Sequence, residues 1–176
     1  ERTQGMPAKV EAQLAYRSIY ERTGCQQQSF NTMYQLLAVK ETHPEQLEQA
    51  SHLLMVPDYL NYLLTGQRMQ EYTNATSTGL VNLESQTWDL ELIRQLGLPE
   101  TLFGPLSLPG TVVGELTAEV VEQIGYTSTV VHVASHDTAS AFLAVPSRGA
   151  NSVYLSSGTW SLLGVELDEP ILTEAA

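Results

Sequence analysis

Apolar residues recur along this chain mostly at helical spacing. The pattern predicts a short helix over Lys9–Leu14 and a second opening at Ser18-Ile19-Tyr20-Glu21, whose S-x-x-E spacing suits a capping box, with Thr23-Gly24 as its stop. Asn31 or Thr32 is placed to cap a third. There Met33, Leu36, Leu37 and Lys40 keep the i, i+3, i+4, i+7 rhythm, and Lys40 closes the apolar face near the C-terminus. Pro44 suits a first helical position, with Leu47 as the inward contact. Leu53–Val56 is predicted as a buried run. Pro57 then opens a helix whose core face is Leu60, Leu63 and Leu64, ended by Gly66.

Beyond Gln67 the pattern changes. Glu71–Thr78 is dense in hydroxyl and amide groups, a composition that fits either a solvated loop or a buried polar network. Trp88–Leu96 is predicted as an amphipathic helix closed by Gly97, and Leu98-Pro99-Glu100 begins another short helical turn. Pro105–Gly114 reads as a loop. Thr117 caps a helix carrying Val120, Val121 and Ile124 that ends at Gly125. Val130, Val131 and Val133 predict a buried strand. It breaks at Ser135-His136-Asp137-Thr138 and passes into a helix over Thr138–Leu143. Pro146–Asn151 is the one linker, and period-two alternation then predicts a hairpin over Val153–Leu167. A hairpin is marginal alone, so its partner strands are expected outside this chain.

Composition narrows the function. Hydrophobic residues make up 43% of the 176, enough for a core, and the net charge is −12. That balance argues against nucleic acid or an anionic membrane as partner, and no apolar run approaches the ~18 residues of a membrane span. The single cysteine, Cys25, allows no internal disulfide and fits a reducing, cytoplasmic compartment. There is no hydrophobic leader, and a start at Glu1 suggests a piece cut from a longer chain.

No Walker loop, G-x-G-x-x-G or H-E-x-x-H occurs. His132 and His136 are four apart but fall on a strand and a turn, so no metal site is assigned. Ser135 and Ser156 lack a surrounding G-x-S-x-G. Asp137 remains: it stands where a strand gives way to a helix, as a helix cap or as a carboxylate able to accept a proton from a substrate hydroxyl. Gly158-Thr159 is a hairpin turn, or a turn whose N–H groups and hydroxyl hold a phosphate.

Taken together, the motifs resemble those of the FGGY carbohydrate kinases, of the actin-like, ribonuclease-H-like ATPase superfamily. The matching residues are Asp58-Tyr59-Leu60, Leu64-Thr65-Gly66, Glu71-Tyr72-Thr73-Asn74-Ala75-Thr76, Trp88-Asp89, Asp137 after a strand, and Ser157-Gly158-Thr159. Phe30–Leu36, Met55–Tyr59, Ala134–Ala141 and Tyr154–Leu162 look like the members that act on L-rhamnulose. The resemblance covers essentially the whole chain. It implies an α/β fold, here a fragment of the actin-like ATPase fold: a mostly helical N-terminal part, a strand-turn-helix and a β-hairpin. It implies that residues 1–145 are the C-terminal part of the first, sugar-binding domain, 146–151 a linker, and 152–176 the first hairpin of the ATP-binding domain.

The implied reaction is phosphorylation of the 1-hydroxyl of L-rhamnulose, in L-rhamnose catabolism, with ATP and Mg2+ as cofactors. By the same resemblance Asp137 is the general base, His136, Asp137 and Thr138 bind the sugar, and Gly158 and Thr159 contact ATP. The family's D-x-G-x-[ST] phosphate motif is absent from this sequence, so the chain alone is expected to be inactive without the rest of its kinase polypeptide. The rivals are another ketose kinase of the family, acting on fuculose or xylulose, and a non-catalytic helical binding module.

Overall fold

The computed structural model describes residues 2–147 and 152–173. Five helices come first: α1 (Met6–Glu11), α2 (Tyr16–Thr23), α3 (Thr32–Thr42), α4 (Pro44–Gln49) and α5 (Val56–Thr65). A short strand β1 (Gln70–Glu71), α6 (Tyr72–Thr76), the hairpin β2 (Val81–Asn82) and β3 (Thr87–Trp88), and α7 (Leu90–Gln95) follow, then a 3-10 turn over Glu100–Leu102. The second half holds β4 (Leu106–Ser107), β5 (Val112–Glu115), α8 (Ala118–Ile124), β6 (Thr129–Val131), α9 (Asp137–Leu143) and the hairpin β7 (Val153–Ser157) and β8 (Ser161–Val165). The described strands pair two by two: β1 runs parallel to β4, while β2–β3, β5–β6 and β7–β8 are antiparallel.

The core lies within the helical half. Met6, Val10, Ile19, Met33, Tyr34, Leu36, Leu80, Trp88, Leu92, Ile93 and Leu102 are buried together. Lys40 does more than close its own helix: its ammonium donates to the Leu96 carbonyl at the end of α7, 3.1 Å away, and ties two core helices together. Trp88 stacks edge-on against Phe103 and donates its indole N–H to the Gly104 carbonyl at 2.7 Å, so the loop after the 3-10 turn is fixed to the core.

Several elements differ from the sequence pattern. The first helix lies at Met6–Glu11, earlier than Lys9–Leu14. Ser18 lies inside α2, whose N-cap is Ala15, so the S-x-x-E spacing makes no capping box. Trp88 belongs to β3 rather than to a helix. Asp89 caps α7 by accepting from the Leu92 N–H at 2.9 Å. The Pro105–Gly114 stretch contains two strands, β4 and the start of β5.

Burial departs further. Val56 is exposed, and Leu53 to Met55 are only half-buried. In α5, Tyr59, Leu60 and Leu63 are about half exposed, whereas Asp58 is fully buried. In the β6 segment Val131 and Val133 are exposed and His132 is buried. Helix periodicity identifies an apolar stripe, but burial needs something packed on it. Here the described residues put two-stranded sheets beside these faces, which leaves them open. The hairpin behaves alike: Leu155 and Leu163 are exposed, and its main anchor is the Phe142–Tyr154 ring stack with centroids 5.6 Å apart, beside Gly164. Residues 148–151 of the linker lie outside the described residues.

Candidate functional site

Glu71 is the centre of the polar stretch, and the stretch is a buried network rather than a solvated loop. Glu71 is 1% exposed. Its side chain caps α6, accepting from the Thr73 N–H at 2.8 Å and the Asn74 N–H at 3.0 Å. The Thr73 hydroxyl donates to it at 2.6 Å. From the far side of the chain, the Ser135 N–H and hydroxyl donate to the same carboxylate at 3.2 and 2.7 Å. Burial alone would push the Glu71 carboxyl up, but these hydroxyl and amide donors hold it below the usual range.

This network grips the turn that the sequence singles out. Ser135 is bound by Glu71, and the His136 N–H donates to the Thr73 hydroxyl at 3.3 Å. His136, rather than Asp137, caps α9: its Nδ1 accepts from the Ala139 N–H at 3.2 Å. Asp137 is therefore not the N-cap residue, although its carboxylate accepts a first-turn N–H. It is the first residue of α9, exposed, with one carboxylate oxygen 2.7 Å from the Thr138 N–H. Ser140 braces the turn by donating to the Ala134 carbonyl. A pocket of about 370 Å³ opens beside His136, with Cys25, Thr76, Ser77 and Ile171 in its wall. Burial pushes the Cys25 thiol up, and the sulfur neighbours the Asn31 amide and the Ser77 carbonyl.

A second buried group supports the strand before the turn. The Ser107 hydroxyl donates to the Gln70 carbonyl at 3.1 Å and lies 2.7 Å from His132 Nδ1. His132 Nε2 faces Asp58 Oδ1 at 4.0 Å. Asp58 in turn accepts the Glu71 N–H at 3.0 Å. Burial raises the Asp58 carboxyl from 3.8 to about 6, against the pull of the Glu71 and Met55 N–H groups.

The sequence-singled residues are only partly brought together. His136, Asp137 and Thr138 form one continuous turn. Gly158 and Thr159 sit at the exposed tip of the hairpin, where the Gly158 N–H donates to the Trp160 carbonyl at 2.9 Å. Trp160 packs edge-on against Phe30, centroids 5.9 Å apart. Among the described residues no hydrogen bond joins this tip to Asp137. No group of three or more metal-ligating side chains occurs among the described residues. No described helix is long and apolar enough to cross a membrane. Glu71, Thr73, Ser135, Asp58 and His132 are the residues that sequence reasoning missed as a set. Asp58, Glu71 and Thr73 stand in the matched motifs and the hydroxyl-rich composition hints at a network, but neither says that these five side chains meet.

A solved structure of a xylulose kinase from Rhodospirillum rubrum superimposes with a TM-score of 0.74 at 25% identity, covering 84% of this chain and 30% of that one. The architecture is therefore part of the actin-like ATPase fold as sugar kinases use it. The N-terminal domain of the FGGY family of carbohydrate kinases matches residues 1–144, and the chain belongs to that family. Among its relatives, a rhamnulokinase of Oceanobacillus iheyensis is 49% identical over 175 residues, 99% of this chain and 37% of that protein. One of Pectobacterium atrosepticum is 48% identical over 169 residues, 96% of this chain and 33% of that protein. The chain thus spans about a third of the length of the curated relatives it matches.

Proposed function

We propose that this chain is the acceptor-side section of an ATP-dependent kinase that phosphorylates L-rhamnulose at its 1-hydroxyl. In this reading residues 1–145 belong to the sugar-binding domain, 146–151 to the joining segment and 152–176 to the start of the ATP-binding domain. Asp137 accepts the proton of the attacking hydroxyl, and His136 and Thr138 orient the sugar beside it. Phosphoryl transfer asks chiefly for positioning, charge stabilisation and a carboxylate near the nucleophile. An exposed carboxylate at the first position of a helix suits that work. The Thr159 hydroxyl holds a phosphate of ATP. ATP would supply the phosphoryl group and Mg2+ would accompany the nucleotide, since no group of three or more metal-ligating side chains occurs among the described residues.

The observation that carries the reading is the identity with rhamnulokinases over nearly the whole chain, coinciding with the exposed Asp137 turn. The experiment is a coupled assay of a full-length polypeptide containing this segment, with MgATP and L-rhamnulose, L-fuculose or D-xylulose. L-Rhamnulose is expected to give the highest kcat/KM, and a clear preference for D-xylulose would sink the choice of sugar. Asp137→Asn is expected to lower kcat on the order of 10²- to 10⁴-fold. The 176-residue chain by itself is expected to show no turnover.

A further inference from the structure

The cap of α6 is an odd choice of residue for capping alone. Preferred caps are Ser, Thr, Asp and Asn, whose short side chains fold back onto the second and third N–H groups. Glu71 has one methylene more than Asp. It spends part of its reach on the Thr73 and Asn74 N–H groups and the remainder on Ser135, 64 residues away in sequence. One oxygen, Oε2, takes the Thr73 hydroxyl, the Asn74 N–H and both donors of Ser135. Through Thr73 the network also holds the His136 N–H. Ser135 is therefore held directly by this carboxylate and His136 through Thr73, whereas the Asp137 carboxylate makes its hydrogen bonds to Thr138.

We infer that Glu71 is a positioning residue for the transfer reaction: its carboxylate sets the direction in which the Ser135–His136 turn presents Asp137. The inference rests on the general-base reading of Asp137. It goes beyond that reading by assigning the geometry of the base to a side chain on a different element. A base held out of line by about 1 Å loses on the order of 100-fold in rate, so the carboxylate's reach matters as well as its charge.

The test is Glu71→Asp in a full-length polypeptide containing this segment. Aspartate is a good cap, so α6 and the melting midpoint should be kept. It is too short to serve both α6 and Ser135, so kcat is expected to fall on the order of tenfold or more while KM for ATP stays unchanged. Ser135→Ala should lower kcat several-fold alone and add little on top of Glu71→Asp, because both remove one interaction. Full kcat in Glu71→Asp, or purely additive losses in the double variant, would overturn the inference. If Glu71→Asp does not fold, Ser135→Ala decides: wild-type kcat there overturns it. Asp137→Asn is assayed in parallel. Wild-type turnover in that variant overturns the general-base reading itself, and this inference with it.

Discussion

Asp58 and His132 face each other in the interior with Oδ1 and Nε2 4.0 Å apart, each side chain 1% exposed. Asp58 Oδ2 and His132 Nε2 have no hydrogen-bond partner. Because Ser107 donates to the Gln70 carbonyl, its oxygen is left to accept from His132 Nδ1. A neutral ring then turns an unprotonated Nε2 toward Asp58, and both groups are easier to keep uncharged than charged. Burial accordingly moves His132 down and Asp58 up to about 6.

The Asp58 shift has a definite sign. Its carboxyl binds a proton more tightly folded than unfolded, so the native state carries more protons between about pH 4 and 6 and stability from this group falls as pH rises through that window. Asp58→Asn keeps an oxygen for the Glu71 N–H and removes the buried charge. It is expected to be more stable than wild type at pH 8, by up to about 3 kcal/mol, with the difference closing near pH 4. Urea unfolding at the two pH values measures this. A pH-independent difference would contradict it.

Asp89 joins three elements. It accepts from Arg22 Nε at 2.7 Å and from a terminal nitrogen of the same guanidinium, from the Asn82 amide at 3.0 Å, and from the Leu92 N–H as the α7 cap. Burial would raise its carboxyl, but these donors hold it below the ordinary range. Asp89→Ala is expected to destabilise the protein by about 3 kcal/mol or more, since it strips a largely buried carboxylate from its cation and its cap. Asp89→Asn, which can still cap, should cost less. Denaturant midpoints compare the two, and equal losses would show that capping contributes nothing.

Gly79 adopts φ +74°, and a Cβ there would lie 2.8 Å from Met33 Sδ. Both the left-handed backbone and the contact with a buried core residue oppose a side chain. Gly79→Ala is expected to lower stability by about 1–2 kcal/mol or more, read as a lower melting temperature. Gly110, also at positive φ but with open space around it, separates the terms: Gly110→Ala should show the backbone part alone.

The exposed apolar residues of α5 make a further expectation. Tyr59, Leu60 and Leu63, on a helix that lies beside β5 and β6, are exposed, as are Val131 in β6 and Val133 just after it, and together they leave much apolar surface open. The 176-residue chain should self-associate as concentration rises in analytical ultracentrifugation. Leu60→Glu with Leu63→Lys should suppress that association without lowering the melting temperature.

The sequence makes some of these features plain and hides others for physical reasons. Pro44, Gly66, Thr117 and Gly125 mark ends of α4, α5 and α8 because their chemistry is local. Met33 and Leu36 are core as their spacing implies. Leu60 and Leu63 are not, because periodicity says which side is apolar and nothing about what lies against it. Ser18 and Glu21 have capping-box spacing, yet the chain turns helical earlier, at Tyr16. The place of Asp137 between a strand and a helix is legible. That His136 rather than Asp137 caps α9 is not, since it depends on which way the His136 ring turns. The Glu71–Ser135 link is the least legible: nothing local in either residue announces a partner so far along the chain.

The buried apolar cluster, together with the residues packed on it, lies between Met6 and Leu106. Every residue of that cluster precedes Asp137 in the sequence, so during synthesis the residues that form it emerge before the turn does. Glu71, the cap of α6, likewise emerges before Ser135, the distant residue it holds. The order of translation would then let the Ser135–His136 turn take its shape against residues that are already outside the ribosome.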